Sequence, residues 1–174
     1  MKLLNILKYP HVGLTSIAKP VEKINYEIKL LINKMFLTMI ANKGIGLAAT
    51  QVGILLQIIV MIDLEKKNKK IALINPSIIK KTNEIVITKE GCLSIPQHYA
   101  YIKRSKKILV KGLNESGNEI QIQAENTLSV CIQHEIDHLN GLLFLDRLSP
   151  LKKNILEKKI HKLQKIINEK KRNR

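Results

Sequence analysis

The run Gln133-His134-Glu135-Ile136-Asp137-His138 constrains this chain more than any other stretch. On a helix, His134 and His138 lie one turn apart on one face, so both imidazoles can converge on a single metal ion. Glu135 sits beside that pair. It is badly placed to be a third ligand, but it can take a proton from a water at the ion. The apolar flank of Leu128, Val130, Cys131 and Ile132 predicts that the helix is buried. One histidine on such a helix is usually a satisfied core residue; two with an intervening Glu are harder to place that way.

A catalytic site of this kind needs a third protein ligand and one open position. A further histidine six residues on would stand at 144, where the chain has Phe144. The downstream carboxylates Glu157 and Glu169 both fall in a Lys-rich helical stretch. Upstream lies Glu90-Gly91-Cys92-Leu93-Ser94-Ile95-Pro96, with a cysteine at the end of an apolar, β-prone run that a proline closes.

Whether Cys92 is free to serve depends on compartment. Met1 to Leu7 is apolar but short, and Lys8 and Pro10 interrupt it before any cleavage pattern. No apolar run approaches a membrane span. The expectation is a cytoplasmic, soluble protein whose two thiols, Cys92 and Cys131, stay reduced. The formal net charge of +16 points toward polyanionic partners, yet 26 of the 30 basic residues are Lys, as an A/T-biased genome would also give. The distribution says more. Residues 152–174 hold ten Lys or Arg and two Glu, a net +8, which is half of the excess.

Along the chain, the segment up to Pro20 lacks periodicity and is expected on the surface. From a cap at Asn25, residues Ile28, Leu31, Ile32, Met35, Phe36, Met39 and Ile40 predict a core-packed helix that stops at Asn42-Lys43-Gly44. Gly44 to Gly53 has two glycines of a dinucleotide fingerprint without the third or a preceding strand. Its small residues instead let backbone approach a ligand, with Gln51 offering an amide; a tight turn with a surface Gln is the plainer alternative. Strands are predicted at 57–63 and 70–79, at 84–88 continuing the same sheet toward Cys92, and at 107–113 and 119–125 as a hairpin around Asn114-Glu115-Ser116-Gly117. Asn126 or Thr127 is expected to cap the HEIDH helix, and Asn140-Gly141 to end it. Ser149-Pro150 opens a last helix with an apolar stripe of Leu151, Ile155, Ile160, Leu163 and Ile167. Strands that do not alternate regularly with helices predict an α+β fold, with antiparallel or mixed sheets packed around a central HExxH helix, an N-terminal helix and a basic C-terminal helix. No repeat or linker divides the chain, so residues 1–174 are expected to be one catalytic domain. Asp137 is expected to pair with Arg104 and brace the HEIDH helix against the strand after Cys92.

Together GIGLAATQ (44–51), EGCLS (90–94) and QHEIDH (133–138) resemble the bacterial peptide deformylases, in order and spacing, over nearly the whole chain. The resemblance implies removal of the formyl group from the N-terminal formyl-methionine of new proteins, with release of formate. It implies Cys92, His134 and His138 as metal ligands and Glu135 as general acid/base. Gln51 and the Leu93 backbone N–H would hold the oxyanion, and Fe(2+) is the ion it favours, with Zn, Ni or Co possible by ligand type. Tyr99 and Lys103 stand where some relatives have Arg and Pro, which bears on the substrate rim. Ile45 and Val130 are candidates for a methionine pocket, plain core packing being the alternative; Gly46 and Gly91 would let the substrate close to the backbone. The implied partners are formyl-Met nascent peptides and, through the basic helix 150–174, the ribosome near its exit tunnel; no membrane is expected and the chain is expected to be a monomer. Two rivals remain on the residues alone: a zinc endopeptidase or aminopeptidase, and a basic RNA-binding module whose metal is structural and closed by a fourth Cys or His.

Overall fold

The computed structural model describes residues 2–172. Its centre is an antiparallel sheet with the spatial order β1-β2-β3-β6-β7, formed by β1 (Gly46–Ala48), β2 (Ile58–Asp63), β3 (Lys69–Lys81), β6 (Lys107–Leu113) and β7 (Glu119–Glu125). Two strands stand apart from it as a second sheet, β4 (Ile85–Cys92) and β5 (Ile95–Ser105).

Both faces of the larger sheet are covered, which is why β2 is apolar without a break from Ile58 to Ile62. Ile58 and Val60 pack toward α1 (Tyr26–Ala41), against Ile32, Met35, Phe36 and Met39. Ile59 and Met61, on the opposite face by the two-residue period, pack toward α2 (Asn126–Leu139), against Leu128, Cys131 and Ile132. The fold is thus α+β, with α2 held between the sheets. A third core joins Ile95 and Ile102 of β5 to Phe144, Leu145 and Ile160, the last on α3 (Pro150–Arg172).

Several sequence expectations hold locally. Asn25 caps α1 by accepting a hydrogen bond from the Ile28 N–H at 3.0 Å, and the predicted hairpin strands match β6 and β7. Others are corrected. The strand that delivers Cys92 leaves the main sheet: β3 takes β6 as its neighbour, and β4 pairs only with β5. Pro96 does not close the run, because β5 passes through it at the edge of a two-stranded sheet, where a missing N–H is tolerated. The N-terminal segment is not wholly superficial; Ile6, Leu14 and Ala18 are buried. Ile40 of α1 is exposed. Neither Asn126 nor Thr127 is the cap of α2; Glu125 occupies that position without a side-chain bond, and Asn126 begins the helix at a φ of 48°. On α3 the packed side is Leu156 and Ile160, while Leu151 and Ile155 face solvent; the Ile167 side chain lies outside those described.

Candidate metal centre

Two elements bring the ligand candidates together. Cys92 ends β4, and α2 carries His134 and His138 on the face turned toward it. The Cys92 thiol and one nitrogen from each histidine all lie within 4.8 Å of one another. Cys92 Sγ is 3.2 Å from His138 Nε2, and the two imidazoles meet edge to face with centroids 4.9 Å apart.

The surroundings fix these donors. His134 Nδ1 donates to Glu90 Oε2 at 2.8 Å, which turns its Nε2 toward the thiol. Glu90 lies two residues before Cys92, on the same face of β4, and Arg104 grips both of its oxygens, donating from Nε to Oε1 at 2.8 Å and from Nη2 to Oε2 at 3.0 Å. Arg104 Nη1 also donates to Asp137 Oδ2 at 2.5 Å, so the expected pair exists and is part of a larger network. Arg147 completes it, donating to Asp137 through Nε at 3.0 Å and Nη2 at 2.5 Å. Neither Glu90 nor Arg147 was assigned a role from sequence. The two-residue spacing to Cys92 is the signal that could have found Glu90; Arg147 leaves none.

Burial would push the Cys92 thiol up, but His138 and His134 outweigh it and hold the group well below the usual thiol range. A thiolate beside two oriented imidazoles is the donor set that suits a zinc- or iron-like ion. The chain's residues therefore fit a catalytic metal. No fourth Cys or His joins this group among the described residues. Cys131 is buried with its Sγ turned to the Ile45 carbonyl at 3.6 Å, and burial pushes its thiol up. That arrangement disfavours a closed structural site. The alternative ligands are also elsewhere: Phe144 is buried against the His134 ring, Glu157 accepts from the Tyr9 hydroxyl at 2.9 Å, and Glu169 is exposed.

Glu135 is buried in the wall of the cleft, and its Oε2 has no protein partner. Burial, only partly opposed by His134 and His138, raises its carboxyl to about 7. Gly46 exists at this point because nothing larger fits: a Cβ there would collide with Glu135 Oε1 and lie 2.7 Å from Cys131 Sγ. Gln51 has its orientation set from behind, since the Ala48 N–H donates to its Oε1 at 2.8 Å. Its Nε2 then points inward, donating to Cys92 Sγ at 3.3 Å and Ser94 Oγ at 3.2 Å. Ile45, Gly46, Gly91, Leu93 and Val130 line the same cleft of about 710 Å³ as Gln51, Cys92, His134 and Glu135.

Residues 3–154 match the family model described as polypeptide deformylase. This chain belongs to the peptide deformylase family. It is 54% identical over 166 residues to a peptide deformylase from Blochmanniella pennsylvanica (strain BPEN), covering 95% of each chain. To one from Buchnera aphidicola subsp. Acyrthosiphon pisum (strain Tuc7) it is 52% identical over 165 residues, again 95% of each. The crystal structure of a peptide deformylase from Legionella pneumophila superposes with a TM-score of 0.89 at 40% identity, over 96% of this chain and 98% of that one. The deformylase family is metal-dependent, in keeping with the donor set around Cys92.

Proposed function

We propose that Cys92, His134 and His138 hold one Fe(2+) ion, and that Glu135 is the proton carrier for the reaction of this family, hydrolysis of the N-terminal formyl group of newly synthesised proteins. The observation that carries the reading is the convergence of one thiolate and two imidazoles within 4.8 Å, beside a buried carboxyl with a free oxygen. Zn, Ni or Co would suit the same donors. When bound, such an ion acts as a Lewis acid and lowers the pKa of water toward neutrality.

The chain's own residues account for the rest. Glu135, whose Oε2 has no protein partner, accepts the proton of the attacking water and hands it to the departing amine as the C–N bond breaks. As the formyl carbon becomes tetrahedral, charge grows on its oxygen. Gln51 Nε2 and the Leu93 backbone N–H receive that charge, each donor contributing a few kcal/mol. Ile45 and Val130 bracket the methionine side chain, while Gly46 and Gly91 admit the peptide close to the backbone. The products are formate and a peptide with a free amino-terminal methionine.

The same reading places the activity in the cytoplasm, in a monomer whose residues 1–174 form one catalytic domain. No helix of the described residues is long and apolar enough to cross a membrane. Helix α3 serves docking to the ribosome near its exit tunnel: Leu156 and Ile160 pack inward, and Lys158, Lys159, Lys162 and Lys165 face solvent. Formate release from a formyl-Met peptide, measured with metal content, is the test. Stoichiometric formate and free amine are expected; cleavage of an internal peptide bond without formate would favour the endopeptidase reading instead.

A further inference from the structure

The mouth of the cleft carries more positive charge than the proposed chemistry uses. Neither carboxylate in its wall reaches the mouth as a free surface charge: Glu90 is taken by Arg104 and His134, and Glu135 is buried. The other charged side chains there are Lys8, Lys43 and Lys89, and no exposed carboxylate stands among them. Lysine is abundant throughout this chain, so number alone says little. Placement says more. Lys8 Nζ donates to the Leu93 carbonyl at 2.6 Å, and Lys89 Nζ lies over the Tyr99 ring, 5.1 Å from its centroid. Tyr99 is in turn seated on Gly91, where a Cβ would fall 2.6 Å from its Cε1, so the lysine is held beside the strand that ends in Cys92. Lys43 follows the end of α1 at a φ of 58°, on the turn that leads through Gly44 to Ile45.

We propose that Lys8, Lys43 and Lys89 make this rim select formyl-methionyl peptides with an acidic side chain in the first residues after the methionine. The inference rests on the deformylase reading above. With the formyl group at the Cys92–His134–His138 end, an extended peptide leaves through the mouth at about 3.3 Å per residue and passes these cations. A rim-exposed charge pair is worth a few-fold in binding, so two or three acting together give roughly a tenfold preference, most of it in KM.

The test compares kcat/KM for formate release from formyl-Met-Ala-Glu, formyl-Met-Ala-Gln and formyl-Met-Ala-Lys, all as C-terminal amides. Amidation removes a terminal carboxylate that the same cations would bind. The expected order is Glu, then Gln, then Lys, with the spread shrinking to within about twofold at high salt, where the screening length falls to about 3 Å. In Lys43→Glu/Lys89→Glu the order should invert. A wild-type enzyme that treats the three alike, or a preference that neither salt nor charge reversal moves, overturns the proposal. The Gln peptide separates the two readings: its turnover without any Glu preference removes the rim selection and leaves deformylation, whereas no formate from any peptide removes both.

Discussion

Arg104 Nη1 donates to Asp137 Oδ2 at 2.5 Å, and so ties the strand after Cys92 to the helix that carries both histidines. The same guanidinium holds Glu90, which holds His134. One planar fork thereby sets the distance between the two elements that carry the candidate ligands. Lysine, a single point charge, cannot make these contacts at once. Arg104→Lys should lower metal affinity by about 10–100-fold. It should also destabilise the fold by about 3–5 kcal/mol, because buried carboxylates lose their partner. Urea unfolding and metal titration would measure the two effects separately.

Glu135→Gln keeps the size of the side chain and removes its ability to take a proton. The variant is expected to retain its metal and lose at least about 10²-fold in deformylation. Elemental analysis beside formate release checks this, and substantial activity in a metal-loaded variant would sink the role of Glu135.

The two cysteines should behave differently. Cys92→Ser replaces a thiolate held low by His138 and His134 with a poor ligand, and metal should be lost or exchanged. Cys131→Ser changes a buried thiol turned away from the ligands and should cost about 1–2 kcal/mol of packing, with metal content preserved. Equal metal loss in both would mean that the wrong cysteine has been placed at the centre.

Acid should weaken the fold in a window set by Glu90. Burial alone would raise its carboxyl, but His134 and Arg104 outweigh that and lower it from 4.5 to about 2. A lowered acid contributes its stability above pH 4.5 and loses it as pH falls toward 2. Stability of the chelator-treated protein should therefore drop across that interval. In Glu90→Gln the drop should be shallower, on a lower baseline; parallel curves would assign the acid sensitivity elsewhere.

Reversing the charges of Lys158, Lys159, Lys162 and Lys165 leaves the packed side of α3 intact. Activity on a short formyl peptide should persist while salt-sensitive co-sedimentation with ribosomes falls. Unchanged co-sedimentation would reduce this face to solvated, Lys-rich surface.

Features with a local cause were legible in the sequence. Asn25 caps α1 through a bond three residues away, and the β6–β7 hairpin turns on a Gly-containing loop. The ligand candidates were legible because three motifs lie together in one resemblance. Partner choice between strands was not: β3 pairs with β6 across the intervening β4 and β5, and no short window of sequence contains that pairing. The same is true of the polar brace. Arg104 and Asp137 are 33 residues apart, yet the pair was expected, as a brace between the HEIDH helix and the strand after Cys92 by one of only four arginines. Arg147 was not, because its place depends on how the short helix at 144–147 sits against β4 and β5 after the chain leaves α2.

Tyr9 donates its backbone N–H to Ser94 and its hydroxyl to Glu157, and Gln164 donates to its carbonyl. Ser94 in turn receives Gln51. The Tyr9–Glu157 contact joins residues 148 apart, so during synthesis Tyr9 is made long before its partner. The segment that carries Lys8 into the cleft therefore waits, while the strands and α2 are made, for α3 to emerge and pin it.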